Sequence, residues 1–522
     1  MNTFPKINRI PPEVLALIPS FLTSYTDLVF TTHVCRHWRN TITASPPLWS
    51  SLDNETMDED LVATYIDRCG GTPLDVSFSS ALNKDIQLLV KLIPHSSHIR
   101  TIRIPCVHWF HIADISDALD QPLPLLREVE LSVNYDTSPP PFQRSFLAGA
   151  TNLVSLNLFD YNALSGTLLH FIIPTLTHLK LTFGDPRIPA VGEILELLRT
   201  SPLIEDLHVH ADVVLDSAEE NSTIPDRFEQ VDLPCLRNIH FSSVKLRSQY
   251  TLLAHIQHSP DCSIFMQVRS DSDVARPPQN VFPKSWDAFS LTNPSNVTLR
   301  VDREQASTEC MVIVKKSNGS TASVSHLQDV NNFISVGDDG NLIREPQRDR
   351  DDDHVLSDAI TLIKKLPLRS VRKFGLEDLE ADHTSKPESF DIPPALVNLI
   401  TSDIPNLTTL SLTRTCVSEL FRMLTPPPPP PPTYLADLFD PDVTPETTTS
   451  PCPSLKVLEM RHPSWVARGH CPEILALAKA RKHEGVPFER VFFCSPNVPK
   501  SMTAGLSLYV EDIDIQTCDG CE

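Results

Sequence analysis

What most constrains this chain is a short apolar pattern, with hydrophobic residues at positions 0, +3 and +5, that returns at near-regular intervals. It occurs at Ile99, Ile102, Ile104; at Leu126, Val129, Leu131; at Leu153, Leu156, Leu158; at Leu176, Leu179, Leu181; at Ile204, Leu207, Val209; and at Leu236, Ile239, Phe241. The starts lie 27, 27, 23, 28 and 32 residues apart, room for one strand and one helix per unit. Three more copies begin at Val371, Leu407 and Leu455. Segments of helical period fall between them, at 191–201, 250–259, 357–366, 394–403 and 472–481. Units of this size cannot bury an apolar face alone, so they stack. The expected fold is α/β, a parallel inner sheet with helices outside.

Composition bears on how such units are joined. Proline supplies 47 of 522 residues, about 9% and roughly twice the usual share. Pro124, Pro174, Pro202, Pro234, Pro405 and Pro453 stand just before strands, where a fixed φ ends a helix and directs the chain into extended structure. An Asn or Cys at +8, the other means of holding such turns, is present only as Asn134. The seven prolines at 426–432 sit in a stretch, 425–453, rich in Pro, Thr and Asp, read as a loop insertion carrying a polyproline II rod.

The first fifty residues read differently. In IPPEVLALIPSFL (10–22), Pro11 and Pro12 suit a helix's first turn, and Ile10, Val14, Leu15, Ile18, Phe21 and Leu22 fall near one face. Pro19 must kink or end that helix. A second apolar piece at 28–30 precedes HVCRHWRNTI, where Val34, Cys35, Trp38 and Ile42 share a helical face, and then Ser45-Pro46-Pro47-Leu48-Trp49. Three short helices in about forty residues build too small a core to stand alone, so size itself suggests a partner or neighbouring domain.

The motifs I-P-P-E-V-L (10–15), I-x-x-F-L (18–22), D-L (27–28), V-C-R-x-W-R (34–39) and L-W (48–49) resemble an F-box. The resemblance implies a substrate-receptor subunit of an SCF (Skp, cullin, F-box) ubiquitin ligase, with a Skp-type adaptor docking on Ile10, Pro11, Glu13, Val14, Ile18, Leu22, Leu28 and Trp38. With the repeating array, the chain resembles the F-box and leucine-rich-repeat class, in which the repeats would bind a protein substrate. The expected organisation is an F-box at 1–52, a linker and capping segment at 53–98, an array at 99–245, irregular repeats or inserted strands at 246–355, further units at 356–510 and a tail at 511–522. Within 246–355, SIFMQV (263–268), NVTLRV (296–301) and CMVIVKK (310–316) read as strands, Ser-Asn-Gly (317–319) and Asp338 to Asn341 as turns, and 344–354 as a solvated acidic loop.

Period-two alternation puts positions +2, +4 and +6 of each strand on the solvent side of the sheet. That selects a substrate surface of Glu128, Glu130, Asn157, Phe159, His178, Lys180, Asp206, His208, His210, Asn238 and His240, continued by Thr409, Ser411, Glu459 and Arg461. With strands about 4.8 Å apart, His208 and His240 are expected side by side. A histidine-rich contact of this kind would change its affinity as pH moves through about 6.5.

The formal charge of -22 disfavours binding to phosphate backbones. No glycine-rich phosphate loop, G-x-S-x-G, H-E-x-x-H or metal-spaced Cys/His set appears, so the expected role is non-catalytic, without metal or cofactor. Cys518 and Cys521 form a C-x-x-C without βαβ context, read as part of a frayed tail. Neither a signal peptide nor an 18-residue apolar run is present, and the cysteines are scattered, which leads to an expectation of a cytoplasmic or nuclear protein.

Overall fold

The computed structural model describes residues 10–22, 25–53, 59–78, 89, 91–108, 112–134, 147, 149–159, 173–183, 191–211, 229–242, 246–270, 294–304, 307–316, 319–329, 334–336, 342–344, 352–378, 393–413, 418–425, 451–461, 472–494 and 498–516. The polyproline run, the turn at 338–341 and the Cys518/Cys521 pair lie outside them. The chain divides into two compact units, Met1–Cys262 and Ser263–Glu522.

The first unit opens with helices α1 (Pro12–Leu17), α2 (Tyr25–Thr32) and α3 (Arg36–Thr43), with 3-10 turns at Pro19–Phe21 and Pro46–Trp49. The helix expected over 10–22 stops at Leu17 because Pro19 cannot continue it, and Pro19 starts the 3-10 turn instead. The chain then enters β1 (Ser51–Asp53), α4 (Glu59–Cys69) and β2 (Leu74–Ser77). The recurring pattern supplies β3 (Ile99–His108), β4 (Glu128–Asn134), β5 (Ser155–Phe159), β6 (His178–Phe183) and β7 (Asp206–Ala211). A short β8 (Val231–Leu233) precedes β9 (Asn238–Ser242). Strands β1 through β7 and then β9 pair side by side, all parallel. Each puts its +3 and +5 residues in the core: Leu156 and Leu158, Leu179 and Leu181, Leu207 and Val209 are buried. The expected helix at 250–259 is displaced: it spans Leu246–His255, and Ile256–His258 is a strand, β10, that pairs in parallel with β8.

The prolines act in one repeated way. Leu126, Leu176, Ile204, Leu236, Leu407 and Leu455 each donate a backbone N–H to the carbonyl three residues earlier, at 3.1 to 3.4 Å. In every one of these turns proline is the second of four residues, the position its fixed φ suits. Ala150 to Leu153 makes the same turn with Thr151 in that place. Side chains tie some of these turns to the preceding unit. Asn152 Nδ2 donates to Pro124 O at 2.7 Å, Asn406 Nδ2 to Arg369 O at 2.8 Å and Thr408 Oγ1 to Arg372 O at 2.9 Å.

The second unit contains β11 (Ser263–Ser270), β12 (Pro294–Glu304), β13 (Ser307–Lys316), β14 (Thr321–Asp329), and a small antiparallel pair β15 (Ile334–Val336) and β16 (Leu342–Arg344). There follow β17 (Lys373–Asp378), β18 (Thr409–Thr413), β19 (Val457–Arg461), β20 (Arg490–Cys494) and β21 (Asp512–Gln516). Strands β12, β13 and β14 form an antiparallel meander; β14 pairs in parallel with β11, and β12 with β17. From β17 to β21 neighbours are again parallel. The pieces 263–268, 296–301 and 310–316 are therefore strands of one mixed sheet. Gly319, at φ +92°, turns the chain between β13 and β14. Gly375 lies against Thr298, whose Oγ1 would stand 2.8 Å from an added Cβ, so β12 and β17 leave no room for a side chain there. Of the run expected as an acidic loop, Arg344 ends β16 and Asp352 begins the helix Asp352–Ile363, while 345–351 lie outside the described residues.

One buried charge organises the turn before β19. Arg481, 1% exposed, donates to the carbonyls of Cys452 at 3.1 Å and Leu455 at 2.6 Å and lies over the Phe488 ring. Cys452 has φ +56°, unfavourable for a residue with a side chain, and the guanidinium fixes its carbonyl in place. Burial pushes the Cys452 thiol up to about 11, with Arg481 opposing.

Candidate functional sites

The N-terminal helices sort their apolar residues into two sets. Leu15, Ile42 and Trp49 are buried, and the Trp49 indole donates to Ile42 O at 2.9 Å while its ring meets Tyr65 of α4 edge-on. Arg68 lies over the other ring contact, 4.4 Å from the Trp49 centroid. The second set faces solvent: Val14, Leu17 and Ile18 on and just after α1, Phe21 in the 3-10 turn, Phe30 on α2 and Val34 after it. Phe21 is 83% exposed and Leu17 60%, unusual for side chains whose burial is worth roughly 1.5–3 kcal/mol each.

Of the residues expected at the adaptor contact, Pro11, Glu13, Val14 and Ile18 are exposed, and Ile10 and Leu22 are partly so. Leu28 and Trp38 are corrected: at 6% and 8% exposure they belong to the module's interior, where α2 and α3 pack together. They can shape the surface but not form it. Leu17, Phe21, Phe30 and Val34 join the surface instead. A helix-face reading counts Phe21 as continuous with α1 and gives no reason to turn Phe30 and Val34 outward.

Residues 7–55 match a protein-family model described as F-box-like. This segment is an F-box-like domain. No curated protein matches the chain. F-box domains typically bind Skp-type adaptors, and the segment matched here carries the exposed apolar set described above. The domain runs into the sheet of its own unit: Asp75 of β2 donates its backbone N–H to Ser50 O at 2.8 Å, beside the pairing of β1 with β2.

The second candidate is the polar face of β3 to β9. Parallel register aligns Arg103, Glu130, Asn157, Lys180, His208 and His240 in one row across six strands, and Thr101, Glu128, Ser155, His178, Asp206 and Asn238 in the next. Arg103 donates to Glu128 at 2.9 Å and lies 3.9 Å from Glu130. Asp206 is engaged on both oxygens, by His178 Nε2 at 3.0 Å and by Asn238 Nδ2. Lys180 Nζ lies over the Phe159 ring at 4.7 Å. The His208 and His240 rings stack, centroids 5.2 Å apart and planes 22° apart, and His210 Nδ1 is within 2.5 Å of Ser242 Oγ.

The titration differs from the expected midpoint near 6.5. Burial holds His240 down to about 4, with His208, His210 and Lys180 adding to the effect. Burial also lowers His208; Asp206 opposes this, and Lys180 and His178 reinforce it. In the free protein both rings are therefore neutral at neutral pH. Among the described residues no group of three or more His, Cys, Asp or Glu is arranged to hold a metal ion.

On the second unit, Lys373 donates to Glu459 at 2.7 Å and Arg461 lies 3.6 Å from the same carboxylate. Thr409 is half-buried and Arg461 exposed. Ser411 is corrected: at 8% exposure, between Gly375 and Glu459 in register, it is covered by neighbouring strands and offers no contact surface.

Proposed function

We propose that this chain is the substrate-recognition subunit of an SCF ubiquitin ligase: the F-box-like domain docks a Skp-type adaptor and through it a cullin, and the polar strand faces bind a protein substrate. The observation that carries the reading is the coexistence of a matched F-box-like domain with an outward-facing apolar set at Val14, Leu17, Ile18 and Phe21. The strand arrays, in this reading, are irregular leucine-rich repeats in which proline turns and Asn or Thr side chains replace the usual ladder. The protein contributes no bond chemistry. It raises the effective concentration of substrate beside transfer machinery held by other subunits, in the cytoplasm or nucleus.

The test is turnover in cells carrying the double variant Val14→Asp, Phe21→Asp. Proteins that bind the chain directly should show lengthened half-lives and lose ubiquitin conjugates. If bound proteins keep their half-lives while the wild-type chain still holds a Skp-type adaptor, the ubiquitination role fails and the chain is a scaffold on that adaptor.

A further inference from the structure

The last strand of the second unit is paired on one side. β21 runs parallel to β20, and among the described residues no strand lies along its other edge. Asp512 donates its N–H to Glu489 O at 3.0 Å, so Asp512 and Asp514 turn their backbone groups toward β20, while Ile513 and Ile515 turn theirs to the open side. The apolar row runs off the same edge. Across β19, β20 and β21 it reads Leu458, Val491, Ile513 and Met460, Phe493, Ile515; the β19 and β20 members are buried, Ile513 is half-buried and Ile515 is 46% exposed. Leu508, in the turn before β21, is exposed too. Stacked arrays are closed in water by a polar end unit, and the described end of this one presents isoleucine. The polar row ends in carboxylates. Arg490 is taken by Asp512, Lys456 by Glu489, and Lys482 by the Leu508 carbonyl. Among the described residues Glu511 and Asp514 have no cation within ion-pair distance, and half-buried Asp514 accepts from the Gln516 amide at 3.1 Å.

We propose that the open edge of β21 binds an extended segment of a partner protein in which Lys or Arg alternates with apolar residues, added to the sheet as a further strand. Its backbone bonds the free N–H and C=O groups of Ile513 and Ile515, and its apolar side chains cover those two isoleucines. Its cations, on the opposite face, meet Asp514 in the field of Asp512 and Glu511. Charge complementarity selects this occupant. A second copy paired edge to edge about a twofold axis would set the Asp512 and Asp514 row against its own kind, and an acidic strand would do the same. An uncharged strand would cover Asp514 without a counter-charge. The inference goes beyond the receptor reading and depends on neither an adaptor nor a ubiquitinated substrate.

The test is a titration of a fluorescent peptide alternating Lys with Val by the full-length chain, read by anisotropy at about 0.15 M salt. Expected is saturable binding that a Glu and Val peptide does not show. Asp514→Asn should weaken it about two- to fivefold. N-methylation of every second peptide nitrogen, which keeps the charge, should weaken it about tenfold or more in one of the two frames, the one that faces β21. Ile515→Pro removes an N–H on the open side, a place proline tolerates on an edge strand, and should abolish binding. Thermal unfolding shows whether that variant is folded; Asp514→Asn and the methylated peptides carry the test in either case. The proposal is overturned by absence of binding, by equal binding of the Glu and Val peptide, or by affinity unchanged in Asp514→Asn and in both methylated frames. A dimer in sedimentation that Ile515→Pro dissociates would also overturn it, because the edge would then belong to a second copy.

Discussion

Trp49 and Tyr65 meet edge to face at 4.9 Å, with the Trp49 N–H tied to Ile42 O and Arg68 stacked on the indole. One side chain thereby joins the F-box-like helices to the first helix of the strand array. The sequence motif that marks it, L-W at 48–49, ends in a buried tryptophan; the exposed apolar residues lie elsewhere, on α1, in the turn after it, and at Phe30 and Val34.

Trp49→Ala should cost about 3–5 kcal/mol of first-unit stability, the range for removing a buried large aromatic. Trp49→Phe keeps most of the contact and removes the indole donor from the Ile42 carbonyl, which retains the Ser45 N–H at 3.1 Å, about 0.5–1.5 kcal/mol. Urea unfolding followed by tryptophan-independent circular dichroism measures both. Equal, small losses would contradict the joint described here.

The Arg481 guanidinium should be hard to replace. Arg481→Met leaves the buried Leu455 carbonyl without its guanidinium donor, about 1–3 kcal/mol, and the Cys452 carbonyl with only the Leu455 N–H of its turn. Arg481→Lys should fall short of rescue, because an ammonium lacks the planar fork that reaches separate acceptors. Thermal unfolding of the two variants checks the order wild type, Lys, Met.

Much of this architecture was legible beforehand, and the reason is periodic burial. The +3 and +5 positions of nine strands point inward, so leucine spacing located β3 to β7, β9, β17, β18 and β19. The prolines before them were equally informative, since each fills the one turn position that fixes φ. Other elements carried weaker signals. Strands β20 and β21 carry the same spacing in Phe488, Val491, Phe493 and in Val510, Ile513, Ile515, with aromatic and β-branched residues where the other copies are mostly leucine, and β10 reads as the end of a helix because Ile256 continues an apolar helical face until β8 captures it. At the candidate sites, register predicted the His208/His240 pair correctly from strand spacing. Trp38 and Ser411 were misplaced because a linear pattern assigns faces but not the packing of neighbouring elements over them.

The shared turn yields a stabilising substitution. Thr151 occupies the position held by proline in six equivalent turns, and its N–H is outside the turn's hydrogen bond. Thr151→Pro should add about 0.4–1 kcal/mol by restricting the unfolded chain, and Pro202→Ala should remove a similar amount. The two effects should add, because the sites are in separate turns.

Acid should weaken the first unit through His240. Its folded-state pKa is about 4, below the ordinary 6.5, so protons bind the unfolded chain preferentially between those values. The stability due to the neutral ring is fully present above about 6.5 and is lost as pH falls toward about 4. His240→Gln should therefore show a smaller drop in urea midpoint between pH 7.5 and 5 than wild type. An identical drop would show that His240 titrates normally.

The most direct test of the account is calorimetric titration of the purified full-length chain with a Skp-type adaptor. The wild type should bind, Val14→Asp and Phe21→Asp should each weaken binding by about tenfold or more, and Lys180→Met should bind as wild type. Undiminished binding by both Val14→Asp and Phe21→Asp would contradict the assignment of the exposed apolar set as the docking surface.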